Sequence, residues 1–152
     1  MPELNVRLKI LDERLGRDYP LPTYATDGSA GVDLRAMLDK DYILQSGEVK
    51  LVPAGFAIYI ENPNICAAIY PRSGLGFKNG IVLGNLTGII DSDYQGPIMM
   101  PIWNRSATPF SLTVGMRVAQ MVFMPVLKAK FTICADFPDS SRGCSGFGST
   151  GL

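Results

Sequence analysis

The spacing of glycine and proline limits the fold of this sequence more than any other feature. The 152-residue chain has 16 glycines and 11 prolines, and both residue types interrupt long helices. The runs between them are short and alternate apolar with polar residues, or are continuously apolar, as in β-strands. The predicted strands are residues 4–10, 48–52, 56–60, 65–70, 98–103, 110–114, 117–124 and 130–134. This pattern predicts an all-β sandwich, jelly roll or barrel.

One short helix and a glycine-rich tail complete the predicted organisation. Residues 73–79, SGLGFKN, are predicted to be helical, with Ser73 near the N-cap and Gly80 ending the helix. Residues 140–152 are small and rich in glycine, and we expect a mobile tail there. The length suits a single domain, so we expect one β domain over residues 1–139 and a flexible arm over residues 140–152.

Charge and histidine content exclude several classes of function. Lys+Arg and Asp+Glu both number 14, and this balance argues against a protein that binds nucleic acid. A small phosphate ligand needs only a few local arginines. The chain contains no histidine, which removes Ser-His and Cys-His nucleophile pairs, HExxH zinc sites and the usual zinc deaminase signature. An enzyme of this composition is expected to use a carboxylate base, with any metal on oxygen ligands.

The N-terminal region and the cysteines indicate the compartment. Charged residues near the N-terminus are not followed by a long apolar run, so neither a signal peptide nor a membrane-spanning helix is expected. Cys66, Cys134 and Cys144 are scattered and form no CxxC pair. We therefore expect a cytoplasmic protein.

Two segments in the first half of the chain carry candidate functional groups. Residues 29–36, SAGVDLRA, place Asp33 in a strand-like run, where the simpler interpretation is a carboxylate bonded to backbone. Residues 71–76, PRSGLG, place Arg72 at the start of the predicted helix, and helix N-termini bind phosphate through free N–H groups. The alternative is an ordinary cap with a surface arginine.

An acidic, aromatic segment follows at residues 84–96, GNLTGIIDSDYQG. We predict a hairpin whose tip carries Asp91, Asp93 and Tyr94. A base or sugar could lie against it, using backbone groups and the Asn85 amide. The alternative is a hairpin whose aspartates only cap a turn.

The last two segments are GMRVAQ at residues 115–120 and RGCSGFGSTG at residues 142–151. In the first, Arg117 and Gln120 lie at the start of a strand, and the simpler interpretation is an edge-strand arginine paired with an acid. In the second, Phe147 is flanked by glycines, which suits a lid that stacks on a base while Arg142 holds phosphate. The alternative is a disordered tail.

In this order, the five segments resemble the five motifs of the trimeric dUTP pyrophosphatase (dUTPase) family, over residues 30–151. The resemblance implies a jelly-roll-like β-barrel assembled as a homotrimer with shared active sites. It also implies Mg²⁺-dependent hydrolysis of dUTP to dUMP and pyrophosphate, which limits uracil in DNA and supplies dUMP for dTMP synthesis. Residues 1–139 would then form the catalytic barrel, and residues 140–152 its lid.

The resemblance assigns roles to residues at the matching positions. Asp91 would position and activate the attacking water, and Asp33 would lie near the water shell of a Mg²⁺ held mainly by substrate phosphates. Tyr94 would pack against deoxyribose and exclude a 2′-hydroxyl, while Met99 would line the nucleoside pocket. The other assigned residues are Arg72, Ser73, Gly74 and Gln120 for phosphate, Asn85, Ile89 and Ile90 for uracil, and Arg142, Phe147, Gly148, Ser149 and Thr150 for the lid.

The tail departs from the family pattern at one place. Cys144 and Ser145 stand third and fourth where the family usually reads Arg-Gly-x-Gly-Gly-Phe-Gly. If the fourth place needs a positive φ, Ser145 adds strain of about 1 kcal/mol.

Two other functions are alternatives to the hydrolase. One alternative is a dCTP deaminase of the same fold, which the DSDY and FGSTG runs disfavour. The other is a non-catalytic nucleotide-binding module, which intact candidates at Ser73, Asp91 and Arg142 disfavour.

Overall fold

A computed structural model describes residues 4–144 of the chain. Within these residues, ten strands and one helix follow one another along the chain. They are β1 (Arg7–Ile10), β2 (Val32–Arg35), β3 (Tyr42–Leu44), β4 (Val49–Tyr59), β5 (Ile65–Pro71), α1 (Ser73–Asn79), β6 (Ile81–Leu83), β7 (Gly88–Ile90), β8 (Pro97–Asn104), β9 (Phe110–Leu112) and β10 (Arg117–Pro125). The all-β prediction with one short helix is confirmed.

The strands form two four-stranded antiparallel sheets and one strand pair. The first sheet has the order β1-β4-β8-β6, the second β2-β10-β5-β7, and β3 pairs with β9. Both sheets contribute to one hydrophobic core, in which Leu34 and Val118 of the second sheet join Phe56 and Met100 of the first. Alternate residues of a strand point to opposite faces of its sheet. One face of each sheet therefore packs in the core, and the other face points outward.

The two strands predicted on either side of the Pro-Ala-Gly turn are one continuous strand, β4. Its pairing with β8 shifts register between Pro53 and Ala57, so the predicted turn is a bulge. Gly55 has φ +83°, and a Cβ atom there would come within 3 Å of the side chains of Met37 and Leu15. Glycine is therefore required both for backbone conformation and for space.

Helix α1 covers the predicted residues. Arg72 is its N-cap, Ser73 its first residue, and Gly80 ends it in the left-handed conformation with φ 67°. The Gly80 amide donates to the carbonyl of Leu75, which satisfies one carbonyl at the helix end. The helix thus starts directly after β5, and this places Arg72 at the end of a strand of the second sheet.

The strand predicted at residues 130–134 is wrong. These residues form no ladder within residues 4–144, and Phe131 and Ile133 are 93% and 100% exposed. The alternation that suggested a strand is present, but a strand needs a hydrogen-bonding neighbour, and residues 4–144 provide none. No helix in the part of the chain that the structure describes has the length and apolarity needed to cross a membrane.

Candidate active site

The second sheet brings three of the five sequence segments together. Strand β10 lies between β2 and β5, and Gln120 stands opposite Asp33 on one side and Tyr70 on the other. Arg72 follows the last residue of β5. The Gln120 side-chain amide donates to the carbonyl of Pro71 at 2.9 Å, so it fixes the end of β5 next to Arg72. Residues far apart in sequence thus meet at one end of the sheet.

Asp33 joins two guanidinium groups at this end. One carboxylate oxygen accepts a hydrogen bond from Arg72 Nε at 2.9 Å, and the other accepts one from Arg117 Nη1 at 3.0 Å. The predicted pairing of Arg117 with an acid is confirmed, but its strand, β10, is central and not an edge strand as predicted. The simpler interpretation of Asp33 as a backbone-bonded carboxylate is wrong. A guanidinium carries five N–H donors, so both arginines keep donors for an anionic ligand. We call Asp33, Arg72, Arg117 and Gln120 the arginine cluster.

The first turn of α1 lies beside the arginine cluster. Ser73 and Gly74 are exposed, and Arg72 makes no side-chain cap to the helix. A Cβ atom on Gly74 would have no neighbour within 4 Å, so open space borders the turn. The predicted phosphate-binding residues therefore share one accessible region.

A second group of predicted residues lines a small cavity near β7. The cavity has a volume of about 160 Å³ and is lined by Ile89, Ile90, Asp91, Tyr94, Pro97 and Met99. Five of these six are residues that the sequence analysis assigned to base, sugar or catalysis. The sequence analysis did not assign Pro97 to the site. Its position directly after Tyr-Gln-Gly could have indicated that the turn extends to residue 97. We call this space the Asp91 cavity.

The segment that carries these residues is not a hairpin, so that prediction is wrong. Strand β7 pairs with β5 in the second sheet, whereas β8 pairs with β4 and β6 in the first. The turn between β7 and β8, in which the Tyr94 amide donates to the Asp91 carbonyl at 3.2 Å, therefore passes from one sheet to the other. The turn residues were recognised correctly, but the pairing partners are distant in sequence.

Asn85 and Arg142 stand apart from the Asp91 cavity. Asn85 is exposed in the turn before β7 and does not line the cavity. Arg142 lies in a turn closed by a hydrogen bond from the Gly143 amide to the Ser140 carbonyl at 3.1 Å. Phe147, Gly148, Ser149 and Thr150, with Ser145, lie outside the described residues.

The arginine cluster and the Asp91 cavity are separate in one chain. The cavity lining includes no member of the cluster. Along β5, the residue paired with Ile90 is Ala67, four residues before Pro71, which corresponds to about 13 Å of strand. A single chain therefore presents the arginine cluster and the Asp91 cavity as two separate regions of the second sheet.

These features define a class: an all-β protein with a cluster of arginines at one end of a sheet and a small cavity lined by an acidic and an aromatic residue. The family model for dUTPase matches residues 17–151, and the chain belongs to the dUTPase family. A "Deoxyuridine 5'-triphosphate nucleotidohydrolase" of Haemophilus ducreyi is 59% identical over 147 residues, 97% of each chain. One of Shewanella denitrificans is 59% identical over 146 residues, 96% of each chain.

Solved structures agree with the fold. The dUTPase of Staphylococcus bacteriophage 80alpha, determined as a mutant with dUpNHpp, superposes with a TM-score of 0.84 at 21% identity, covering 97% of this chain and 99% of that chain. The dUTPase of phage phi11 of S. aureus, whose structure describes a structural Mg(II) ion, gives a TM-score of 0.76 at 17% identity, covering 89% of this chain and 99% of that one. The predicted dUTPase-like barrel is confirmed.

Proposed function

We propose that this protein hydrolyses dUTP to dUMP and pyrophosphate with Mg²⁺. The observation that carries the proposal is the Asp91 cavity, whose lining combines the acidic Asp91, the aromatic Tyr94 and the strand residues Ile89 and Ile90. Relatives named for this activity are 59% identical over nearly the whole chain. In the cell, such an activity lowers dUTP, limits uracil in DNA and supplies dUMP for dTMP synthesis.

The position of β7 supports recognition of uracil by backbone groups. Among residues 4–144, β7 is an edge strand that pairs with β5 on one side only. The N–H and C=O groups on its other edge, around Ile89 and Ile90, can therefore bond the edge of a base, with the Asn85 amide nearby in sequence. Cytosine presents the opposite donor and acceptor pattern and would leave these groups unpaired, so we expect it to be rejected.

Asp91 is the proposed base for the attacking water. The chain has no histidine, which favours a carboxylate as the proton acceptor, and Asp91 is exposed and lines the cavity together with Tyr94 and Met99. Tyr94 packs against deoxyribose and leaves no room for a 2′-hydroxyl. General-base help of this kind contributes about 10²–10⁴-fold in rate.

The phosphate chain is proposed to bind at the arginine cluster and the first turn of α1. Arg72 and Arg117 supply N–H donors, and Ser73, Gly74 and Gln120 supply further polar groups. We propose residues 140–152 as the lid, with Arg142, Gly148, Ser149 and Thr150 assigned to phosphate and Phe147 to the base.

Mg²⁺ fits these residues as an ion shared with the substrate. Residues 4–144 contain no group of three or more Cys, Asp or Glu side chains placed to hold a metal by themselves. Mg²⁺ usually keeps several waters and binds substrate phosphates with one or two carboxylates. Each Asp33 oxygen accepts one hydrogen bond from an arginine and keeps a second lone pair. Asp33 can therefore accept a hydrogen bond from a water of the Mg²⁺ shell, and the ion would neutralise phosphate charge.

We further propose a homotrimer whose sites are shared between chains. The Asp91 cavity, at about 160 Å³, is smaller than the roughly 300–1,000 Å³ of a usual ligand site, and the arginine cluster lies outside it. A second copy can supply the missing walls. We also propose that the protein works in the cytoplasm, where free thiols such as those of Cys66, Cys134 and Cys144 stay reduced.

The segment after β10 supports assembly from several chains. Four large apolar side chains on it are almost fully exposed: Leu127, Phe131, Ile133 and Phe137. An apolar groove of about 1030 Å³ lies between the β1 and β2 sides of the barrel, with Val6, Val32 and Phe123 in its lining. Exposed apolar surface of this kind marks an interaction site, and we propose that the segment of one copy fills the groove of another.

Replacing Phe131 and Ile133 together by serine is expected to abolish the trimer at micromolar concentration. In one chain, the side chains of Phe131 and Ile133 are 93% and 100% exposed. Burying each of them against a second copy would stabilise the trimer by about 1.5–3 kcal/mol. Sedimentation velocity measures the assembly. The control replaces Lys128 and Lys130 of the same segment by serine and should keep the trimer. A trimer that survives the apolar replacements would contradict the proposed contact.

The substrate preference tests the proposed function itself. We expect kcat/KM for dUTP to exceed that for UTP, dCTP and dTTP by at least about 10²-fold, with activity lost on chelation of Mg²⁺. Steady-state kinetics on all four nucleotides, with pyrophosphate as the measured product, provides the check. Deamination of dCTP would instead identify the deaminase alternative. Tight nucleotide binding without turnover would identify a binding module.

A further inference from the structure

The phenol ring of Tyr94 folds back over the main chain that follows it. Its hydroxyl donates a hydrogen bond to the carbonyl oxygen of Pro97 at 3.0 Å, so the ring passes over Gly96. A Cβ atom built on Gly96 would lie 2.5 Å from the Tyr94 hydroxyl oxygen and 2.7 Å from Cζ. Nonbonded atoms pack at about 3.5–4.0 Å. The ring can therefore hold this position only above a residue without a side chain.

The need for glycine at position 96 comes from the ring and not from the backbone. Gly96 is absent from the glycines with positive φ, a group that includes Gly55 and Gly80. Because the φ angle of Gly96 is not positive, an alanine can adopt the same backbone conformation without the strain of the left-handed region. The three heavy atoms nearest to the added Cβ all belong to Tyr94. A substitution at Gly96 therefore acts first on the position of the Tyr94 ring.

We propose that Gly96 is a positioning residue that fixes the Tyr94 ring at the wall of the Asp91 cavity and so sets discrimination against ribose. This inference rests on the proposed function, in which the ring packs against deoxyribose. The Tyr94 amide is bonded to the Asp91 carbonyl, so the ring and the carboxylate belong to one turn. A shift of about 1 Å in such a site can cost about 10²-fold in rate.

Gly96→Ala is expected to lower kcat/KM for dUTP by about 10–10²-fold and to narrow the dUTP-to-UTP ratio by at least about tenfold. The ratio should narrow because a displaced ring leaves room for a 2′-hydroxyl, an effect that a general loss of folded protein cannot produce. Gly28→Ala is the matched control, since a Cβ there has no neighbour within 4 Å. The control should keep both values, and an unchanged ratio in Gly96→Ala overturns the inference.

A double-mutant cycle separates the ring from the backbone. In a Tyr94→Leu background the clashing ring is gone, so adding Gly96→Ala should cause no further loss of dUTP turnover. Equal losses in both backgrounds overturn the inference. If Gly96→Ala alone fails to fold and the double variant folds, the clash is the cause. If neither folds while Tyr94→Leu does, the backbone is the cause and the inference fails.

A structure of unliganded Gly96→Ala tests the inference without any substrate. The Tyr94 hydroxyl should lose its hydrogen bond to Pro97, and a ring that stays in place overturns the proposal. Absence of dUTP turnover in the unmodified protein would refute the proposed function, yet the ring position in the variant would still decide whether Gly96 holds Tyr94. The two failures are therefore distinguishable.

Discussion

Asp91→Asn is expected to lower kcat for dUTP by about 10²–10⁴-fold, because the amide cannot accept the proton of the attacking water. Binding of a non-hydrolysable dUTP analogue should change little. Asparagine keeps the size of the side chain, and the hydrogen bond from the Tyr94 amide goes to the main-chain carbonyl of Asp91. Single-turnover kinetics and analogue titration measure the two quantities separately.

Asp93→Asn provides the matched control for this experiment. Asp93 lies two residues further along the same turn, is also exposed, and does not line the Asp91 cavity. The same chemical change there should leave kcat within about twofold, as is usual for surface substitutions. Near-normal kcat in Asp91→Asn would show that another group is the base. Loss of analogue binding would show that Asp91 mainly shapes the cavity.

Two inactive chains are expected to restore activity when they assemble together. One chain carries Asp91→Asn and keeps residues 142–152, and the other keeps Asp91 but ends before Arg142. Each homotrimer should be nearly inactive, because one lacks the base and the other lacks the lid. In a mixed trimer, a site is complete only when the truncated chain supplies the Asp91 cavity and the full-length chain supplies the lid.

Random mixing at equal ratio should make about a quarter of the sites complete, since two independent even choices must both succeed in a closed cyclic assembly. Mass spectrometry confirms the mixed trimers, and turnover per site gives the fraction. The control pairs the Asp91→Asn chain with a chain that is both truncated and Asp91→Asn, and it should stay inactive. Mixed trimers as inactive as their parents would show that the cavity and lid of each site come from the same chain.

Local conformation was predictable wherever a few adjacent residues decide it. The helix at residues 73–79 was predicted with its bounds, because Gly80 can adopt the left-handed conformation that ends a helix. The short strands β3 and β6, with three residues each, were missed, since so few residues give a weak period of two. The equally short β9 was found only within a longer predicted run, residues 110–114.

Errors arose wherever pairing partners lie far apart in the chain. The Pro-Ala-Gly run at Gly55 has turn chemistry, but its neighbours in β8 convert the turn into a bulge. Residues 84–96 have the composition of a hairpin, yet β7 pairs with β5 rather than with β8. Residues 130–134 alternate like a strand and have no partner within residues 4–144. The residue composition of a segment indicates where a turn lies, whereas the packing of the sheets decides which strands pair.

The sequence by itself determined the family, through the order and spacing of the five motifs, and the residue types available to the site, which include no histidine. The tertiary structure decided which groups meet. Asp33 bonds guanidinium groups 39 and 84 residues away, and Tyr94 closes over Gly96 through a ring position that the spacing does not reveal. The physical reason is that backbone preferences act over a few residues, whereas hydrogen bonds between strands and contacts between side chains depend on the packing of the two sheets.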